Sequence, residues 1–114
     1  MIQRFDVGTR MSEMAVHNGT AYLAGQVADD ATQDIAGQTR QVLVAVDALL
    51  ARVGSDKSKI LMAQIFLVDL GDFDGMNAVW DAWVPAGQTP PRATVQAQLA
   101  KPGWKIEMVV TAAL

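Results

Sequence analysis

Residues 34–53 set the strongest constraint on the fold. Ile35, Val42, Val46, Leu49 and Val53 recur at spacings of three, four and seven, while Arg40, Gln41, Asp47 and Arg52 fall largely off that stripe. Apolar residues with a period near 3.6 define an amphipathic helix that must bury one face against something else. Gly54 stops it, because a residue without Cβ takes the left-handed C-terminal position at little cost. Asp30 and Thr32, in the polar stretch Asp29 to Gln33, are candidate N-caps for its start.

The segments around this helix read as strands. Ile2 to Phe5, Glu13 to His17 and Thr20 to Ala24 are short and extended, and Asn18-Gly19 between the last two is a strong hairpin signal. Ile60 to Leu70 is apolar and rich in strand formers, which predicts a strand buried on both faces. Asp72 is placed to cap a second helix carrying Phe73, Met76, Trp80 and Trp83 as a stripe. Pro85 to Pro91 is a loop, Arg92 to Leu99 a strand, Ala100 to Gly103 a turn, and Trp104 to Leu114 the last strand. This order predicts an α+β fold with two helices packed on one face of a mixed sheet.

At 114 residues, 51% apolar and 18% charged, the chain supports one domain spanning 1–114. So small a domain buries a limited share of its surface, and the apolar excess predicts an oligomer. A formal charge of −3 with scattered basic residues argues against a nucleic-acid partner. The absence of cysteine removes thiolate nucleophiles and thiolate metal sites. A single histidine, His17, leaves no histidine-based metal site or serine triad, and its place beside Asn18-Gly19 reads as a surface strand position. No apolar stretch approaches the roughly 20 residues that span a bilayer, and no leader is evident, so a cytoplasmic location without membrane contact is expected.

Three residues carry candidate chemistry. Arg92 follows Pro90-Pro91, which restrict its backbone, and its planar fork can hold both oxygens of a carboxylate. An arginine at a strand end can equally be solvated or paired with an acid. Glu107 is a lone acid in Ile106-Glu107-Met108-Val109-Val110, again either functional or a solvated partner of Lys105 or an arginine. Asn77, one turn from Phe73, is either a satisfied buried amide or a polar group facing a pocket. Trp80 and Trp83 read as core or subunit interface rather than a stacking platform.

Alternation puts Arg92, Thr94, Gln96 and Gln98 on one strand face. If Ala100 to Gly103 closes a hairpin, Leu99 faces Trp104, Gln96 faces Glu107 and Arg92 faces Thr111. Arg92 and Glu107 then share a face roughly 13 Å apart along the strand.

Several segments together resemble the RidA, or YjgF-like, family. They are Asp34 to Gln41, the strand ending Ile65-Phe66-Leu67-Val68-Asp69-Leu70, Asp72-Phe73 with Met76-Asn77, Pro91-Arg92-Ala93-Thr94-Val95, and Lys105-Ile106-Glu107. The resemblance runs through nearly the whole chain and is strongest after Asp34. It implies a chorismate-mutase-like fold and a homotrimer with ligand sites in the clefts between subunits. It also implies cofactor-free hydrolysis of reactive enamines and imines, such as 2-aminoacrylate, to 2-oxo acids and ammonia.

On that resemblance Arg92 matches the arginine that binds the substrate carboxylate, Glu107 the acid that activates water, and Asn77 a pocket asparagine. Gly25-Gln26 matches the Gly-Gln after the third strand. Met11 stands where the active deaminases carry a pocket tyrosine, Ala24 where they carry a serine, and Thr94 where cysteine is common. The resemblance therefore implies a more apolar pocket at these three positions. An alternative from another class is a trimeric binding protein that holds a small carboxylate as a sensor without turnover. A chaperone-like or ribonuclease role, also attached to family members, ranks last because the chain lacks a basic stripe.

Overall fold

In the computed structural model, which describes residues 1–114, the chain forms β1 (Gln3–Phe5), β2 (Met14–His17), β3 (Thr20–Leu23), α1 (Ile35–Arg52), β4 (Ile60–Leu67), α2 (Phe73–Trp83), β5 (Arg92–Gln96) and β6 (Ile106–Ala113). The six strands make one sheet in the order β1-β2-β3-β6-β4-β5. Only β4 and β5 pair in parallel. A parallel neighbour needs a crossover, and α2 supplies it between β4 and β5. The longer crossover through α1 leaves a gap between β3 and β4, which β6 fills. This is the mixed α+β sheet with two helices on one face that the sequence predicts.

Of the α1 stripe, Val42, Val46 and Leu49 are buried, joined by Leu43 and Leu50, in one core with Ile65, Leu67, Ile106, Met108 and Val110 of the sheet, while Ile35 and Val53 are partly buried at its edge. Met76 and Trp80 of α2 complete the core, whereas Phe73 remains 39% exposed. The Asn18-Gly19 hairpin forms with φ of 50° and 75°, and Gly54 ends α1 at φ 72°.

The cap of α1 differs from the expected Asp30 or Thr32. Asp34 takes the position and its carboxylate accepts from the Gly37 N–H at 2.9 Å. Asp30 instead accepts from the Thr32 N–H at 3.0 Å and from the Thr32 hydroxyl, closing a turn that competes with helix entry. Asp72 occupies the N-cap of α2 but makes no side-chain bond, because Asp69 has already closed a short 3-10 turn at Leu70–Asp72 by accepting from the Gly71 N–H at 2.8 Å. That turn also ends β4 at Leu67 rather than Leu70.

Two further expectations are corrected. β4 is not buried on both faces. Ala63, Ile65 and Leu67 lie under the helices, while Met62 and Gln64 face outward and Phe66 is half-buried. Its apolar outer positions join Tyr22 and Val95 on an open sheet face, where Tyr22 is 51%, Met62 40% and Val95 47% exposed. Part of the apolar excess in the composition thus lies exposed on this sheet face.

Nor do β5 and β6 form a hairpin. β5 ends at Gln96, and residues 97–105 carry the chain past the end of β4, with Ala97 N–H on Leu67 O at 3.0 Å and Val68 N–H on Lys105 O at 3.1 Å. Gln38, fully buried on α1, holds this connection: its amide nitrogen reaches the carbonyls of Ala31, Gln33 and Gly103, and its oxygen accepts from Lys105 N–H at 2.9 Å. Leaving one such buried group unpaired would cost about 1–3 kcal/mol, so Gln38 fixes the crossing as firmly as a small apolar contact.

Candidate functional site

Because β4 lies between β5 and β6, Arg92 and Glu107 do not share a face. Arg92 pairs with Ala63, a residue under the helices, and Glu107 pairs with Phe66 on the open face. Side chains of paired residues point the same way, so the two candidates occupy opposite sides of the sheet. Their backbones are separated by three residues along the strands and two strand spacings across, roughly 10 Å in each direction. The expected common face is overturned by strand order, which alternation within each strand cannot report.

The first group gathers beneath α2. Phe73, Asn77 and Trp80 follow one another at four and three residues, one face of that helix. The Arg92 guanidinium carbon sits 5.2 Å from the Trp80 ring centre and 5.9 Å from that of Phe73. Such cation–ring contacts contribute about 0.5–2 kcal/mol depending on solvation. Arg92 forms no ion pair; the one in the chain joins Arg52 to Asp6 at 2.6 Å, far from here in sequence. Asn77 Oδ1 and Thr94 Oγ1 are buried without a hydrogen-bond partner. Buried polar atoms are ordinarily satisfied, so an unpaired cation on the same face as two unpartnered oxygens makes this group the first candidate site.

The second group lies on the open face. After β3 the chain bridges again to β6, with Gln26 and Met108 exchanging backbone hydrogen bonds of 2.8 and 3.0 Å. This brings Gly25 against Glu107 so closely that a Cβ on residue 25 would lie 2.1 Å from Oε2. Ala24 N–H donates to Glu13 O at 2.9 Å, and the buried Gln26 amide donates to Ala24 O at 2.9 Å. Ala24 therefore sits beside the Glu107 corner. Met11 lies on the exposed loop before β2, where its carbonyl accepts from Gly8 N–H at 2.8 Å.

Gly25→Ala is expected to expel the Glu107 carboxylate from its seat while leaving the fold intact. A crystal structure of the variant would read this directly, and an unmoved Glu107 would contradict it.

Sequence reasoning missed Phe73 and Trp80 as partners of Arg92, and it missed the reason for Gly25. The second had a signal, since a glycine next to a strand often marks close approach of another group. The largest cavity, about 650 Å³, lies between α1 and α2 among Leu43, Val44, Val79 and Trp83 and contains none of these residues. The two groups lie on opposite faces of the sheet and share no cavity within the chain.

Fold and site together define an α+β protein with one mixed six-stranded sheet, an arginine on its edge strand and an acid on its open face. Comparison with known proteins narrows this. A family model described as endoribonuclease L-PSP matches residues 1–114. A RutC family protein of Haemophilus ducreyi is 50% identical over 114 residues, covering 100% of this chain and 97% of the relative. RutC family protein YoaB of Escherichia coli is 46% identical over 113 residues, covering 99% and 98%. The crystal structure of a YjgF family member from Neisseria meningitidis superposes with a TM-score of 0.96 at 46% identity, covering 99% of this chain and 94% of that one. The chain belongs to this L-PSP family, whose members carry the names RutC, YjgF and Rid.

Proposed function

We propose that this protein hydrolyses reactive enamines and imines of the 2-aminoacrylate type to 2-oxo acids and ammonia, in clefts between the subunits of a homotrimer. The observation that carries this reading is the unpaired Arg92 guanidinium on the same face as the unpartnered oxygens of Asn77 and Thr94. Opposite placement of Arg92 and Glu107 supports a shared site: one chain would supply Arg92, Asn77 and Thr94, and its neighbour would supply Glu107, Gly25, Ala24 and Met11. The open face bearing Tyr22, Met62 and Val95 supports burial against other copies. No helix is long and apolar enough to cross a membrane, which accords with a cytoplasmic enzyme acting on small metabolites.

In this reading Arg92 clamps the substrate carboxylate through paired charge-assisted hydrogen bonds. The enamine takes a proton at carbon to become the imine. Glu107 orients a water and accepts its proton as oxygen bonds to the imine carbon and the C=N pair moves to nitrogen. Glu107 returns that proton to the nitrogen, and the proton of the new hydroxyl follows it there as the C–N bond breaks, releasing ammonia and the 2-oxo acid. An imine is already electrophilic, so a held carboxylate, a placed water and a proton carrier supply what the reaction needs, with no cofactor or metal.

The test couples a dehydratase that releases 2-aminoacrylate to detection of the 2-oxo acid, with and without this protein. Acceleration is expected, and its absence would remove the hydrolase reading. The apolar Met11 and Ala24 favour one second reading, a carboxylate sensor without turnover. Thermal stabilisation by 2-oxo acids with no turnover of any imine would select it.

A further inference from the structure

We infer that Phe73 and Trp80 are positioning residues for Arg92, a cradle that holds the guanidinium in place while leaving its charge and donors for the ligand. The inference rests on the carboxylate-clamp reading of Arg92. Its physical basis, the packing of the guanidinium, stands apart from any turnover.

Arg92 lies on the outermost strand of the sheet, and β5 has a neighbour only on its β4 side. An arginine there is long and mobile, and ordering it on binding costs rotamer entropy. The usual way to order it is an acid partner, which would neutralise its charge and occupy its hydrogen-bond donors. No acid is paired with Arg92. Two aromatic rings take that place.

Phe73 and Trp80 are seven residues apart on α2, two turns or roughly 10 Å along its axis. The guanidinium carbon is 5.9 Å from one ring centre and 5.2 Å from the other, so both rings lie within cation–ring reach of it. The attraction of a cation to a ring acts through the ring's face and uses no N–H donor. The planar fork of five donors thus stays available for an oxyanion.

The inner wall is itself fixed. Trp80 is 5% exposed and packs on Trp83 with ring centres 5.4 Å apart at 49°. Trp83 in turn donates from its indole nitrogen to Asp47 on α1 at 3.0 Å. A line of contacts runs from α1 through Trp83 and Trp80 to the guanidinium. Phe73, partly exposed, forms the outer wall.

The variants that test this are Phe73→Leu, at an exposed position where folding should survive, and Trp80→Phe, which keeps an aromatic ring in the core. Affinity for pyruvate, KM and kcat on a 2-imino acid, and the NMR resonance of the Arg92 Nε–H are measured in each. Phe73→Leu should weaken pyruvate binding and raise KM about three- to tenfold, with kcat within about twofold. Trp80→Phe, which keeps a ring but one that attracts a cation less, should shift affinity and resonance in the same direction as Phe73→Leu by a smaller amount.

In the wild type the Nε–H resonance should be displaced upfield by the rings, and in Phe73→Leu it should return toward that of free arginine. Unchanged affinity and an unchanged resonance in Phe73→Leu would overturn the cradle. If the wild-type protein neither binds pyruvate nor turns over imines, the clamp reading fails by itself. The cradle is then decided by the resonance: a ring-shifted signal that Phe73→Leu relaxes upholds it, and an unshifted wild-type signal overturns it.

Discussion

Glu107→Gln is expected to lower kcat on a 2-imino acid by roughly 10²- to 10⁴-fold, the range over which a positioned acid–base group contributes. The change keeps the shape of the side chain and its contact with Gly25, so the fold and the open face should be undisturbed. It removes the ability to take a proton from water and return it to the departing nitrogen. KM should change little, because the substrate carboxylate is held elsewhere. Steady-state kinetics on the coupled assay separate the two parameters. A fall in affinity at constant kcat would assign Glu107 to binding and remove it from the chemistry.

Arg92→Ala is expected to act on the other parameter first. Truncating one partner of a buried charge-assisted pair typically costs about 2–5 kcal/mol, so kcat/KM should fall by roughly 30- to 5,000-fold. Stabilisation by pyruvate in a thermal melt should vanish with it. Arg92→Lys should recover only part of the loss, since an ammonium presents a point charge where the fork presents two parallel donors. Retention of pyruvate binding in Arg92→Ala would move the anion site away from β5. The substitution also removes the cation beside Phe73 and Trp80, so the melting temperature of the ligand-free variant must be compared as well.

Much of this architecture was legible in the residues. Asn18-Gly19 needed positive φ at both positions and formed the hairpin. The stripe from Ile35 to Val53 needed a sheet beneath it and found one. Site candidates were legible for a different reason: Arg92 after two prolines and Glu107 within an apolar run are each chemically out of place, and the family resemblance gave those oddities roles.

What the residues concealed was adjacency. Period-2 alternation assigns faces within a strand but says nothing of which strand lies alongside, so the short path from Gln96 to Ile106 suggested a hairpin. The preference of β4 for a parallel neighbour across α2, and the buried amide of Gln38, place β4 there instead. The outer residues of β4 misled in a related way. Met62 and Phe66 read as core, yet their face is one that a single chain does not cover.

The insertion of β4 between β5 and β6 has one more consequence, concerning ownership of the active site. In the proposed trimer no chain possesses a complete cleft; each lends its arginine to one cleft and its glutamate to another. Two inactive proteins, Arg92→Ala and Glu107→Gln, should then repair each other when unfolded together and reassembled. With equal amounts and random assembly, roughly a quarter of the clefts would receive both intact residues. Activity rising from a mixture of two dead variants would show the chemistry to be a property of the assembly. A mixture that stays dead would return both residues to a single chain.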